Sequence, residues 1–240
     1  VKPITDPSIL NDIATARKLN NNTIIQPEHT LPTTYRYDSR GLLINQNTPD
    51  AGSSIFKYDI LGRLRFSQNA KQFANNYFSY IRYDEHGRII ESGESNQTLN
   101  GTLLVNSILI DDILADNGYP SLGNRNITHT IYDNSSTGFI AQQNLRSRVA
   151  AITYDNVGDG LYDYATHYSY DIHGNVDVLI QENPMFAIPD DRFKRIDYEY
   201  DLVSGNVNKV SYQNQKDDAS YHKYYYDADN RITEVLTSKD

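Results

Sequence analysis

Carboxylates are the most plentiful groups in this chain that could suggest acid–base chemistry. Asp and Glu together number 31, and a pair of carboxyls about 5–10 Å apart is the requirement for glycoside hydrolysis. The chain has no cysteine to act as a nucleophile. It also has no Gly-x-Ser-x-Gly elbow and no phosphate-cradling Gly-rich loop. His29, His86, His129, His167, His173 and His222 are scattered, with no spacing such as His-x3-His that would clamp a metal. Asp155, Asp159-Gly160 and Asp163 come nearest to a metal motif, the Asp-x-Asp-x-Asp-Gly calcium loop. The match fails at the third position, Val157, and at the twelfth, Thr166, where Glu should stand. A hairpin turn at Gly158–Gly160 accounts for the glycines more simply. The expectation is therefore no catalytic residue, no cofactor and no metal, with the acidic residues employed elsewhere.

Where they are employed follows from a repeat. Tyr-Asp occurs nine times, and six occurrences sit in a longer pattern. The copies are YRYDSRGLLINQ from Tyr35, FKYDILGRLRFSQ from Phe56, IRYDEHGRIIESGE from Ile81, YSYDIHGNVDVLIQE from Tyr168, YEYDLVSGNVNKVSYQ from Tyr198 and YYYDADNRITEV from Tyr224. Each reads as a β-hairpin. Asp38, Asp59, Asp84, Asp171, Asp201 and Asp227 open the turn, because an Asp carboxylate accepts hydrogen bonds from the backbone just ahead of it. Gly41, Gly62, Gly87, Gly174 and Gly205 close it at positive φ, with Asn230 in that place in the last copy. The extra residue before Gly205 lengthens that turn by one. Arg63, Arg88 and Arg231, four residues after their Asp, are placed to pair with it. Tyr37, Tyr58, Tyr83, Tyr170, Tyr200 and Tyr226 are the repeat aromatics. Several have a second ring two residues earlier, on the same strand face. Stripes such as Tyr198/Tyr200 can bind sugars or peptides, but they read first as the repeat's own packing.

The 20 Tyr, with 7 Phe and no Trp, imply an interior that must find partners for hydroxyl groups. A hydrophobic fraction of 38% lies below the usual ~45–50% and suits a thin sheet wetted on at least one side. The net charge of −9 with dispersed basic residues argues against a nucleic-acid partner. No apolar run reaches the ~18 residues of a membrane span, so no membrane insertion is expected. The chain starts at Val1 and stops soon after a repeat, and it reads as a piece of a longer array.

Four regions follow. Residues 1–34 hold a short helix starting at Asp6-Pro7-Ser8 and a Pro-containing linker over 26–34. Residues 35–95 hold three repeats. Residues 96–128 interrupt the array with its most apolar stretch, 103–117, which reads as a helix packed on the sheet edge or as a pair of irregular strands. Residues 129–240 resume the repeats, with weaker copies near Thr128 and Ala150 and a Pro-bracketed loop at 185–193.

The string Tyr-Asp-x-x-Gly-Arg-Leu/Ile, with an aromatic two residues before it, resembles the YD-repeat, or Rhs-repeat, proteins. The likeness covers most of residues 35–235. That family includes bacterial polymorphic toxins, the shell pair of insecticidal toxin complexes and the animal teneurins. The resemblance implies an all-β fold of stacked antiparallel hairpins in a curved or spiralling sheet, part of a hollow shell. It also implies a secreted or cell-surface location and a scaffold role around an encapsulated C-terminal toxin or effector. The partners would be the rest of the parent chain, that cargo and the secretion machinery. The style of the segments between copies resembles proteins exported by the type IX system. The alternative is a surface adhesion or glycan-binding array. The family's self-cleaving core segment is not visible in the sequence.

Overall fold

The computed structural model describes residues 7–18, 32–107, 110–135 and 141–239. Helix α1 (Pro7–Lys18) begins at a proline, whose missing N–H costs nothing in the first turn. Asp6 and most of the linker at 26–34 lie outside the described residues. Four strands follow as two hairpins: β1 (Thr34–Tyr37), β2 (Leu43–Thr48), β3 (Gly52–Tyr58) and β4 (Leu64–Gln68). A short helix, α2 (Ala70–Ala74), leads into β5 (Phe78–Tyr83) and β6 (Ile89–Ser95). Asn69 caps α2 by accepting from the Gln72 backbone at 2.8 Å, while Gln72 reaches back to the Asn69 N–H at 3.0 Å.

Residues 96–123 then leave the sheet. They form a two-residue hairpin of β7 (Thr98–Leu99) and β8 (Thr102–Leu103), a 3₁₀ turn over Leu104–Asn106, and helix α3 (Ile110–Ala115). The chain re-enters the sheet at β9 (Asn124–Tyr132), which crosses residue 128. It continues through β10 (Val149–Asp155), β11 (Tyr164–Tyr170) and β12 (Val176–Glu182), then a single helical turn, α4 (Pro189–Arg192), within the loop at 185–193. The last strands are β13 (Phe193–Tyr200), β14 (Val207–Tyr212), β15 (Ser220–Tyr226) and β16 (Ile232–Ser238).

Among the described residues fourteen strands make one antiparallel sheet in chain order, with β7 and β8 outside it. The protein is thus all-β, a row of hairpins with few helices. The sheet is open: β1 and β16 are its two ends and do not pair with each other. No helix among the described residues is long and apolar enough to cross a membrane.

The main hydrophobic cluster lies where the insert folds over the sheet. Phe66, Phe78 and Tyr80 from β4 and β5 pack with Leu104, Val105, Ile113 and Leu114 of the insert. Phe66 and Phe78 meet edge to face at 5.3 Å. The insert therefore covers a sheet face, where the sequence reading put a helix against an edge. The reason is bulk: β4 and β5 offer three large rings that need cover, whereas β10 and β11 bury only small apolar side chains such as Ala150, Ala151 and Ala165.

Arg65 secures the insert although it is only 2% exposed. Its guanidinium donates to the Leu114 carbonyl at 3.0 Å and to those of Asp116 and Tyr119 at 3.2 Å, and its Nε donates to Ile81 at 2.9 Å. Burying this charge is tolerable because all these donors meet carbonyl oxygens, including those near the C-terminal end of α3.

Candidate functional site

All six turns of the repeat lie on one long edge of the sheet. In five of them one Asp carboxylate oxygen accepts the backbone N–H two and four residues on, at 2.8–2.9 Å, in the copies opened by Asp38, Asp59, Asp84, Asp171 and Asp227. In the longer turn Asp201 accepts from Val203 and Ser204 at 3.0 and 2.7 Å. The closing residue has positive φ each time, from 74° to 98° at Gly41, Gly62, Gly87, Gly174 and Gly205, and 61° at Asn230. Burial pushes the Asp59, Asp84 and Asp171 carboxyls up, but the hydrogen bonds they accept outweigh it and leave them below the ordinary range. Backbone hydrogen bonds, from Leu42 and Ser204 respectively, are the main cause of lowering at Asp38 and Asp201.

Each tyrosine of the Tyr-Asp pair stands at a bulge in its hairpin. The register shifts at Tyr37, Tyr58, Tyr83, Tyr170, Tyr200 and Tyr226, which pair with Leu43, Leu64, Ile89, Val176, Val207 and Ile232. The hydroxyl then reaches back to the preceding hairpin. Tyr58 donates to the Leu43 carbonyl at 2.9 Å, Tyr83 to Leu64 at 2.8 Å, Tyr200 to Val176 at 2.8 Å and Tyr226 to Val207 at 2.8 Å. The acceptor is always the residue that pairs with the previous copy's tyrosine, so the bonds form a ladder along the edge. Burial raises the Tyr58, Tyr83, Tyr170 and Tyr200 hydroxyls above the ordinary phenol value.

Arginines of the repeat tie turn to ladder. Arg63 Nε lies 2.7 Å from Asp59 and Arg88 Nε 2.6 Å from Asp84. The Arg63 guanidinium also covers the Tyr83 ring at 4.6 Å, and that of Arg88 covers Tyr132 at 4.2 Å. Arg231 departs from the pattern: it sits 3.4 Å from Asp229, and both side chains are largely exposed.

A seventh copy is hidden in the weak repeat at Thr128. Tyr132 pairs with Val149 across a register shift and donates to the Ile89 carbonyl at 3.1 Å. Asp133 N–H donates to the Arg148 carbonyl at 3.1 Å, and Ser147, at φ 59°, closes the turn by donating to the Asp133 carboxylate at 2.5 Å. Arg148 covers the Tyr170 ring at 5.3 Å, and Tyr170 donates to Val149 at 2.9 Å. Residues 134–146 are thus inserted inside an otherwise ordinary turn. The signal was Ser147-Arg148-Val149, which has the form of Gly62-Arg63-Leu64 displaced along the chain.

Buried charge is also found at the opposite edge and in mid-sheet. Glu182, 3% exposed, ends β12. It takes His167 Nε2 at 2.8 Å, the Tyr162 hydroxyl at 3.1 Å and Arg192 Nε at 2.9 Å. Burial raises the Glu182 carboxyl, yet Arg192, His167 and Tyr162 together hold it below the usual range. In mid-sheet, Glu91 accepts from Tyr80 at 2.6 Å and pairs with Arg82 at 2.8 Å. Sequence reasoning missed both centres, whose members come from separate strands and loops.

At Asp155 the carboxylate accepts from Val157, Gly158 and Gly160 at 3.1, 2.6 and 3.1 Å, while Asp163 accepts from Asn156 at 2.8 Å and Asp159 from Leu161 at 2.9 Å. These three carboxylates each hold loop backbone. Among the described residues no group of three or more His, Cys, Asp or Glu is placed to hold a metal ion.

The sequence matches no protein-family profile and no curated protein. Among solved structures it is similar to the crystal structure of TcdB2-TccC3-TEV, at 15% identity over 94% of this chain, with a TM-score of 0.38. Similar figures hold for TcdB2-TccC3-Cdc42, at 16% identity over 97% of this chain and a TM-score of 0.38. The Tc holotoxin pore of Photorhabdus luminescens with the TccC3-D651A mutation aligns at 14% identity over 97%, with a TM-score of 0.24. The chain spans only 12% of the length of the first two and 13% of the third.

Proposed function

We propose that this chain is a wall segment of a larger exported YD-repeat protein, a scaffold that encloses or presents a C-terminal effector and performs no chemistry of its own. The observation that carries this reading is the tyrosine ladder. Every rung runs from one hairpin to the one before it, so the joint between units is the same from copy to copy. The repeat Asp carboxylates, with Asp155, Asp159 and Asp163, hold turn and loop backbone, which supports this reading.

The test uses the full-length parent protein. Limited proteolysis should digest its C-terminal domain far more slowly than the same domain expressed alone; equal rates of digestion would sink the container reading. Export by the type IX route is the narrower proposal, supported by the style of the segments between repeats. It fails if the protein still reaches the medium from a strain whose type IX channel is deleted.

A further inference from the structure

We infer that the irregular edge carries a binding site for a neutral saccharide, in a cavity of about 410 Å³ between the two ends of the insert and the β10–β11 loop. That volume falls within the range of about 300–1,000 Å³ usual for small-ligand sites. Asn96, Asn124, Asn126 and Asn156 line it, together with Tyr77 and Arg125. Side-chain amides offer both donors and acceptors without charge, and this is the complement of a sugar's hydroxyl groups.

The walls are fixed before any ligand arrives. Asn96 N–H donates to the Gly123 carbonyl at 3.2 Å, and Asn126 N–H to the Asn156 carbonyl at 3.0 Å. Gly158 lets the two loops close: at φ 74°, a β-carbon there would lie 2.0 Å from the Asn124 carbonyl oxygen. The Asn126 amide is already engaged, accepting from Tyr154 at 2.8 Å. The side-chain amides of Asn96 and Asn156 donate to no protein group among the described residues, and Asn124 Oδ1 is buried without a donor. The Asn96 and Asn156 amides, both at exposed positions, are the groups a ligand hydroxyl can meet, whereas Asn124 Oδ1 is closed off from solvent.

Charge selects against anions. The single cation, Arg125, is neutralised by Glu94 at 2.9 Å and lies over the Tyr77 ring at 3.5 Å. An extended peptide is the poorer fit, because strand addition needs an unpaired edge and β9, which supplies Asn124, Arg125 and Asn126, is paired on both sides, with β6 and β10. The inference does not depend on the container reading, since a wall segment and a free-standing array would offer the same pocket.

The test applies the 240-residue chain to an array of neutral oligosaccharides, with sialylated and sulfated glycans included as charged probes. Saturable binding confined to neutral glycans is expected. Asn96→Ala and Asn156→Ala, both at exposed positions, should each weaken it about tenfold, the loss of one good hydrogen bond, with an unchanged thermal midpoint. Ser39→Ala on the far edge should leave binding intact. Absence of saturable binding to any neutral glycan, preference for the charged probes, or binding that survives both Asn substitutions would overturn the proposal.

Discussion

The two long edges of the sheet solve the same problem in opposite ways. Along the Tyr-Asp edge each repeat turn opens on an Asp carboxylate that holds backbone N–H groups, and from Tyr58 onward each repeat tyrosine joins its hairpin to the one before through one hydroxyl–carbonyl bond. Along the other edge each connection is different: a capped helical turn at Asn69, the insert at 96–123, the Asp155 loop, and the Glu182 centre. Regularity on one side lets units be stacked without limit, while variety on the other puts buried charge and open amides where individual properties can reside. The difference predicts that substitutions on the first edge should have equal, modest and additive effects, and those on the second unequal ones.

The largest effect is expected at the irregular edge. Glu182→Ala leaves His167, Arg192 and Tyr162 without their shared acceptor, and breaking a buried pair by removing one partner costs about 3–5 kcal/mol. Urea unfolding of this variant measures it. A loss as small as that of a repeat substitution would erase the contrast between the edges.

Next comes Asp59→Ala, which removes an ionised acceptor from two backbone N–H groups and Arg63; hydrogen bonds to charged groups are worth about 1.5–3 kcal/mol. Asp59→Asn, which keeps one acceptor oxygen, should cost less.

The same carboxylates set an acid limit. Their folded pKa values are depressed, so their contribution is complete above the ordinary Asp value of about 3.9 and is lost as pH falls through the lower folded values. The hydroxyls of Tyr58, Tyr83, Tyr170 and Tyr200 act in the other direction: raised in the folded state, they stabilise below pH of about 10 and lose that effect as pH rises through their folded values. Thermal midpoints should therefore fall on both flanks, and Asp→Asn changes in the turns should flatten only the acid flank.

What could be read from the sequence depended on distance along the chain. The Asp and Gly of each turn interact within about six residues, so their types and spacing carry the conformation directly. Alternating rings marked the strands in the same local way. The ladder was hidden because the acceptor of Tyr58, Leu43, belongs to another hairpin, and nothing in either segment states the register between them. The Glu182 centre was hidden more completely. A lone Glu at the end of VDVLIQE carries no sign that it will be buried, and its partners lie at 162, 167 and 192. The insert was legible as apolar, but not as the cover over Phe66 and Phe78, because that choice depends on which sheet face lacks small residues.

The ladder itself is tested most directly by replacing its tyrosines with phenylalanine one at a time, at Tyr58, Tyr83, Tyr170, Tyr200 and Tyr226, and measuring urea unfolding. Each change keeps the ring and deletes one hydrogen bond, so each should cost about 0.5–1.5 kcal/mol, similar from copy to copy, and distant pairs should add. Five variants as stable as the parent chain, or a loss confined to a single position, would contradict the claim that this one bond joins each hairpin of the sheet to the next.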